Sequence, residues 1–316
     1  MAGVSALALP GEWAVAAARE GPAAGCLREA GVDPATVNVV VGTEGDDDFA
    51  GRLTMGADVV CGLGGSDRLD VLYANDIFVG GPGSDRVSDP TGPLLGGSFG
   101  TFLGGPGGDG VGQMLNGLFV GGDGDDSVLL SMTGGVLEGG EGADVVPELA
   151  AGRFSGGPGD DRVSWRMEGG QFHGDGGNDT VELMFGGAFH GGEGDDGVVG
   201  DASGTILGGD GADRIGGRLF GSFTGGDGDD FLYFLRAGRF DGGDGADHAE
   251  FVQGSSAGDV FDGGDGPDSV SFLIVDGTVN GGDGADYVAL QDGGTFNGGD
   301  GADAVGVHIS GEFNQQ

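Results

Sequence analysis

Apolar positions recur along this chain with a fixed phase. Phe78, Phe102, Phe119, Leu137, Phe154, Phe172, Phe189, Ile206, Phe223, Phe240, Phe261, Val279 and Phe296 each stand two residues before a glycine turn, and Phe313 ends the row. Eleven of the 19 phenylalanines therefore share one place in the period. A second set, Val128, Val163, Val181, Val198, Ile215, Leu232, Val270, Val288 and Val305, follows each turn by a fixed two residues. Such alternation over a few residues is the mark of a short strand with one buried face. A glycine commonly precedes the phenylalanine by two residues, as at Gly187, Gly221, Gly238, Gly277, Gly294 and Gly311. One coil thus reads as glycine turn, short strand, second turn, and strand carrying Phe. The predicted fold is all-β: a right-handed parallel β-roll or β-solenoid with about fourteen coils of 17 to 18 residues over residues 38–316. Residues 1–37 read as an N-terminal leader or cap, with at most one short helix.

The glycine turns are copies of one hexamer, Gly-Gly-x-Gly-x-Asp, which occurs twelve times, starting at Gly80, Gly104, Gly121, Gly139, Gly156, Gly191, Gly208, Gly225, Gly242, Gly263, Gly281 and Gly298. Variants stand at residues 42–47 (GTEGDD), 62–67 (GLGGSD) and 174–179 (GDGGND). The sixth positions from the second of these onward are Asp67, Asp85, Asp109, Asp126, Asp144, Asp161, Asp179, Asp196, Asp213, Asp230, Asp247, Asp268, Asp286 and Asp303. Two wider steps, Asp85 to Asp109 and Asp247 to Asp268, read as loop insertions, the first carrying Pro90 and Pro93.

Composition makes this periodicity necessary. Eighty glycines and a net charge of -40 would ordinarily give a disordered chain, because glycine loses the most backbone entropy on folding and like charges repel. Strict repetition is the exception. The charge excludes nucleic acid and anionic membrane surfaces as partners and favours cations. No run of about 18 apolar residues marks a membrane span. Residues 5–18 suggest a signal peptide only weakly, since no Lys or Arg precedes them and Pro10, Gly11 and Glu12 interrupt the run. HExxH, GxSxG and P-loop motifs are missing and the four histidines are scattered, so no enzyme is expected. Cys26 and Cys61 form no metal-binding pattern; a disulfide and two unpaired thiols are the alternatives.

What remains is the turn chemistry. Glycines at positions one, two and four are expected to take positive φ and aim carbonyls inward, with the sixth-position aspartates supplying carboxylates. An all-oxygen, flexible cage suits Ca2+ better than the smaller, water-retaining Mg2+. Candidate ligands are the fourteen aspartates named above, together with first-position glycines and third-position acids: Gly121 and Asp123, Gly208 and Asp210, Gly225 and Asp227, Gly242 and Asp244, Gly281 and Asp283, Gly298 and Asp300. The third-position acids also read as a solvated stripe. Asp241, Asp262, Asn280, Asn297 and Asn314 read as a structural ladder, and His173 and His190, in the same row, as either a surface pair or a transition-metal pair.

The hexamers GGDGDD, GGDGAD and GGEGAD, each followed by an aliphatic residue, resemble the RTX calcium-binding repeat, and the resemblance covers residues 38–314. The stretches VVVGTEGDDDF and ADVVCGLGGSDRLD resemble the first repeats of exported bacterial members. The resemblance implies that Ca2+ sits between adjacent turns, held by sixth-position aspartates and turn carbonyls, and that the chain folds only on binding it. It also implies an extracellular, secreted protein. Here the motif recurs once per 17 or 18 residues instead of the family's nine, so only one edge is expected to bind metal, with up to about thirteen Ca2+ between fourteen turns. The expected function is a non-enzymatic extracellular rod assembled by calcium. The alternatives are the repeat portion of a larger secreted enzyme, toxin or adhesin, or an ice binder. For the last, Thr205, Ser222, Thr278 and Thr295 form a row that Arg153, Arg239 and Glu312 break. A protein or carbohydrate partner is not readable.

Overall fold

In the computed structural model most described repeats contribute two short strands, the last ones merging into the longer strands Tyr287–Gly301 and Ala304–Asn314, and the strands pair in parallel with their counterparts one repeat away. The structure describes residues 21–88, 97–98, 100–254 and 258–315. The fold is an all-β parallel β-solenoid of about fifteen turns, about 17 residues to the turn. The extra turn relative to expectation is GTEGDD at 42–47, which forms a coil of its own, with Asp48 bridged to Arg68. Two compact units divide at Gly157 and Pro158.

In the first unit the strands that supply the Phe column include Ile77–Val79, Thr101–Pro106 and Leu118–Asp123, with Val60 of Asp58–Cys61 and Leu137 of Val136–Glu141 at the same place in the register. They stack in register, Phe78 on Phe102 and Phe102 on Phe119, with ring centroids 4.9 and 4.8 Å apart. These distances are the parallel-strand spacing itself. In the second unit the same register holds for Phe172 on Phe189, Phe240 on Phe261 and Phe296 on Phe313. All but the last ring of these pairs are fully buried.

The residues two beyond each aspartate form the second interior column, as expected; Val128, Val163, Val181, Val198, Ile215, Leu232, Val270 and Val288 are buried. A third column was not foreseen. Met114, Met132 and Leu149 stack in the first unit, and Met167, Met184, Ala202, Leu219, Leu235, Val252, Leu273 and Gln291 in the second, all with no exposed surface. Gln291 keeps its amide buried by donating from Nε2 to the carbonyl of Glu312 at 2.9 Å.

One short helix, Ala24–Glu29, stands outside the solenoid in the first unit. Because Val60 points inward, its neighbours Val59 and Cys61 point out. The helix covers them: Cys26 and Leu27 pack with Val59, Cys61 and Val79. A Cys26–Cys61 disulfide fixes the contact, resolving the alternative that the sequence left open. No helix among the described residues is long and apolar enough to cross a membrane.

Candidate metal centre

The turn geometry explains each conserved place in the hexamer. Positions two and four have positive φ, 116° at Gly122 and 126° at Gly124. Position one does not: Gly121 keeps ordinary φ, which corrects the expectation that all three glycines serve left-handed backbone. Its glycine is required by contact instead. A Cβ on Gly121 would overlap Oδ2 of Asp126 and press on the carbonyl oxygen of Gly139 in the next turn; Gly208 stands in the same relation to Asp213 and Gly225. The missing side chain leaves a small cradle bordered by a carboxylate oxygen and a backbone carbonyl.

The sixth-position aspartates form a buried column in each unit. Asp85, Asp144, Asp179 and Asp247 have no exposed surface, and even Asp303 is only 6% exposed. Along the column each backbone N–H donates to Oδ1 of the next aspartate. In the first unit Asp67 donates to Asp85 at 2.7 Å, Asp85 to Asp109 at 2.6 Å and Asp109 to Asp126 at 2.6 Å. In the second unit the relay runs through Asp161, Asp179, Asp196, Asp213, Asp230, Asp247, Asp268, Asp286 and Asp303, at 2.6 to 3.1 Å. Oδ1 is thus used to hold register. Oδ2 of Asp67, Asp85, Asp109, Asp126, Asp179, Asp196, Asp213, Asp230, Asp247, Asp268, Asp286 and Asp303 is buried and receives no hydrogen bond.

Such an oxygen cannot remain a bare anion at low cost, because burial without a donor is penalised by several kcal/mol or more. Burial accordingly pushes Asp109 and Asp230 up to about 8, Asp67, Asp126, Asp179, Asp196 and Asp268 to about 7, and Asp85, Asp144, Asp213 and Asp247 to about 6. Neighbouring aspartates add to the effect on several of them, Asp230 between Asp213 and Asp247 included. Either a proton or a cation can meet this demand.

The third-position acids lie elsewhere. Asp123, Asp210, Asp227, Asp244, Asp283 and Asp300 are all exposed. In the second unit Asp210, Asp227, Asp244, Asp265, Asp283 and Asp300 align on successive strands as a solvated ladder, separate from the buried column. The first-position glycines Gly121, Gly208, Gly225, Gly242, Gly281 and Gly298 are buried against the carboxylates. Among the described residues no group of three or more His, Cys, Asp or Glu side chains converges on one point. Any ion in the buried column therefore rests on one or two carboxylates and on backbone carbonyls. His173 and His190 meet edge to face instead of stacking, with ring centroids 4.5 Å apart and planes inclined by 67°. The expected amide ladder is also present: Asn297 donates to Asn280 and Asn314 to Asn297, both at 2.8 Å.

The opposite edge holds acids that the once-per-coil reading passed over. Asp58, Asp76 and Asp259 are buried there, each two residues before an inward-facing residue of a Phe-bearing strand. A signal existed: Asp58, Asp67, Asp76 and Asp85 are spaced by nine, nine and nine residues.

No family model, curated protein or solved structure matches the chain.

Proposed function

We propose that this protein is a non-enzymatic calcium-binding repeat protein of the RTX kind, secreted, in which Ca2+ enters between successive glycine turns and completes the fold. The observation that carries the reading is the run of buried Oδ2 atoms without donors, each beside a first-position glycine and most, such as those of Asp126, Asp213 and Asp230, also beside a carbonyl of the next turn. The residues fit the ion. The donors are all oxygen, the carboxyls among them give up their protons to a bound cation, and the set repeats along the coils; Ca2+ accepts mixed carboxylate and carbonyl shells with little demand on geometry. Bound Ca2+ supplies positive charge to the buried column. The chain supplies the rest: Oδ2 of the sixth-position aspartates as the anionic ligand, turn carbonyls as neutral ones, and Oδ1 to fix the spacing between coils. Folding and binding are then one equilibrium. The disulfide between Cys26 and Cys61 supports an oxidising compartment outside the cytosol.

Circular dichroism with millimolar Ca2+ and with EGTA tests the proposal. At pH 8 most of the strand signal is expected to depend on calcium, and a spectrum unchanged by chelation overturns the reading.

A further inference from the structure

Three buried carboxylates in the first unit differ from those of the repeat. Oδ2 of Asp47 accepts the N–H of Thr43 at 2.6 Å and its hydroxyl at 3.0 Å. Oδ2 of Asp58 accepts the N–H and hydroxyl of Thr54 at the same two distances. Oδ2 of Asp76 accepts the N–H of Tyr73 at 3.0 Å. Asp47 and Asp58 thus each receive two donors from their own threonine, so neither proton nor metal is needed to satisfy them, whereas Asp76 has one amide on this oxygen and burial still pushes its carboxyl up.

For Asp47 and Asp58 the cause lies at position two of the turn. In the repeat that residue has positive φ, 95° at Gly81 and 116° at Gly122, and even Leu63 and Asp175 follow at 82° and 77°. Threonine is β-branched and resists the left-handed region. Neither Thr43 nor Thr54 enters it, and each instead turns its N–H and hydroxyl onto its own aspartate, a local side-chain cap. The same stretch holds stabilisers that the repeats lack. The helix Ala24–Glu29 packs on Val59 and Cys61, and the disulfide ties the two.

We infer that residues 21–61, closed by the Cys26–Cys61 bridge and the Thr43–Asp47 and Thr54–Asp58 caps, form a calcium-independent clamp that stays ordered without metal and on which the calcium-requiring turns assemble. The inference rests on the calcium reading for those other turns. It separates the chain into a covalently and locally satisfied start and a metal-satisfied remainder.

Hydrogen exchange of the full oxidised chain, read peptide by peptide, decides it. In EGTA, amides in 38–61 are expected to exchange at least about tenfold more slowly than those in 205–247, because local stability differs along a chain; with calcium both segments are protected. Fast exchange throughout in EGTA overturns the clamp and leaves the calcium reading standing. Protection throughout in EGTA overturns the calcium reading, and the clamp's separate role with it. The double variant Thr43→Gly/Thr54→Gly removes the hydroxyls and admits positive φ. It is expected to lose protection at 38–61 in EGTA while retaining it in calcium, and unchanged protection in EGTA overturns the role of the caps. Thr43→Ser/Thr54→Ser keeps both donors and is expected to behave as the parent; loss of protection in EGTA alone in this variant also counts against the caps.

Discussion

The backbone N–H of Asp213 donates to Oδ1 of Asp230 at 2.8 Å, while Oδ2 of Asp230 is buried and receives nothing. One carboxylate is thereby divided between two tasks. Its first oxygen spaces the coils, and its second is the one that the proposed Ca2+ would meet. Asparagine could perform the first task but would present an amide donor in the second.

Asp230→Asn should therefore change sign with conditions. In saturating calcium it loses an anionic ligand and should destabilise by about 1–3 kcal/mol, the range for leaving a buried polar site unsatisfied. In EGTA above pH 8 it removes a buried, uncompensated charge and should leave the chain no less ordered than the parent. Thermal melts followed by circular dichroism in the two buffers check this, and a loss of equal size in both would show that the carboxylate is structural only.

The pH dependence follows from the raised carboxyls. Asp230 and Asp109 titrate at about 8 and Asp213 at about 6 in the folded chain, against an ordinary aspartate value near 4 when unfolded. A folded-state value above the unfolded one means that protonation favours folding. The contribution is complete below about pH 4 and is lost as pH rises through 6 to 8. Without metal, acidification from pH 8 to 5 should thus restore strand signal, reversibly. With calcium the order reverses for binding: protons compete for the same oxygens, so affinity should fall over that range. Calorimetric titration at pH 5 and 8 measures the second effect; affinity independent of pH would place calcium away from this column.

Much of the fold was legible because its two main columns keep constant distance from the hexamer. Phe240 and Phe261 stand two before a Gly-Gly, and Val163 and Val270 two after an aspartate. The third column escaped because its distance wavers: Met184 lies five residues after Asp179, whereas Met167 lies six after Asp161. Its occupants also range from Ala202 to Met132 and Gln291, so neither type nor phase repeats. Of the candidate site, the sixth-position aspartates could be read from spacing, but the division of labour between Oδ1 and Oδ2 could not. Likewise, Gly121 and Gly122 look alike in sequence, yet contact requires the first and φ the second. Thr43 and Thr54 mark self-satisfied turns by a single residue that pattern matching treats as degeneracy.

That distinction between adjacent positions gives a matched pair of tests. A Cβ at Gly208 would overlap Oδ2 of Asp213 and the carbonyl of Gly225, so Gly208→Ala should displace the carboxylate and cost about 2–4 kcal/mol in calcium. Asp210, two residues on, is exposed among like charges. Asp210→Ala should change stability by no more than about 0.5 kcal/mol and leave the number of bound calcium ions unaltered. Equilibrium dialysis gives the count, and one ion fewer in Asp210→Ala would assign the third position to the metal after all.

The interior ladder makes a prediction independent of metal. Phe240 is buried between Phe223 and Phe261, with centroids 5.1 and 4.9 Å away. Truncation to alanine should cost about 3–5 kcal/mol, since the gap is walled by neighbours whose backbone spacing is fixed by the ladder. Phe240→Leu should cost far less. The same column already accommodates Leu137, Ile206 and Val279 without breaking register. Because each coil touches mainly its neighbours, the alanine variant should raise hydrogen exchange around Phe223 and Phe261 while leaving Phe296 and Phe313 protected. Uniform acceleration over the whole of residues 171–314 would show instead that these coils unfold as one cooperative block.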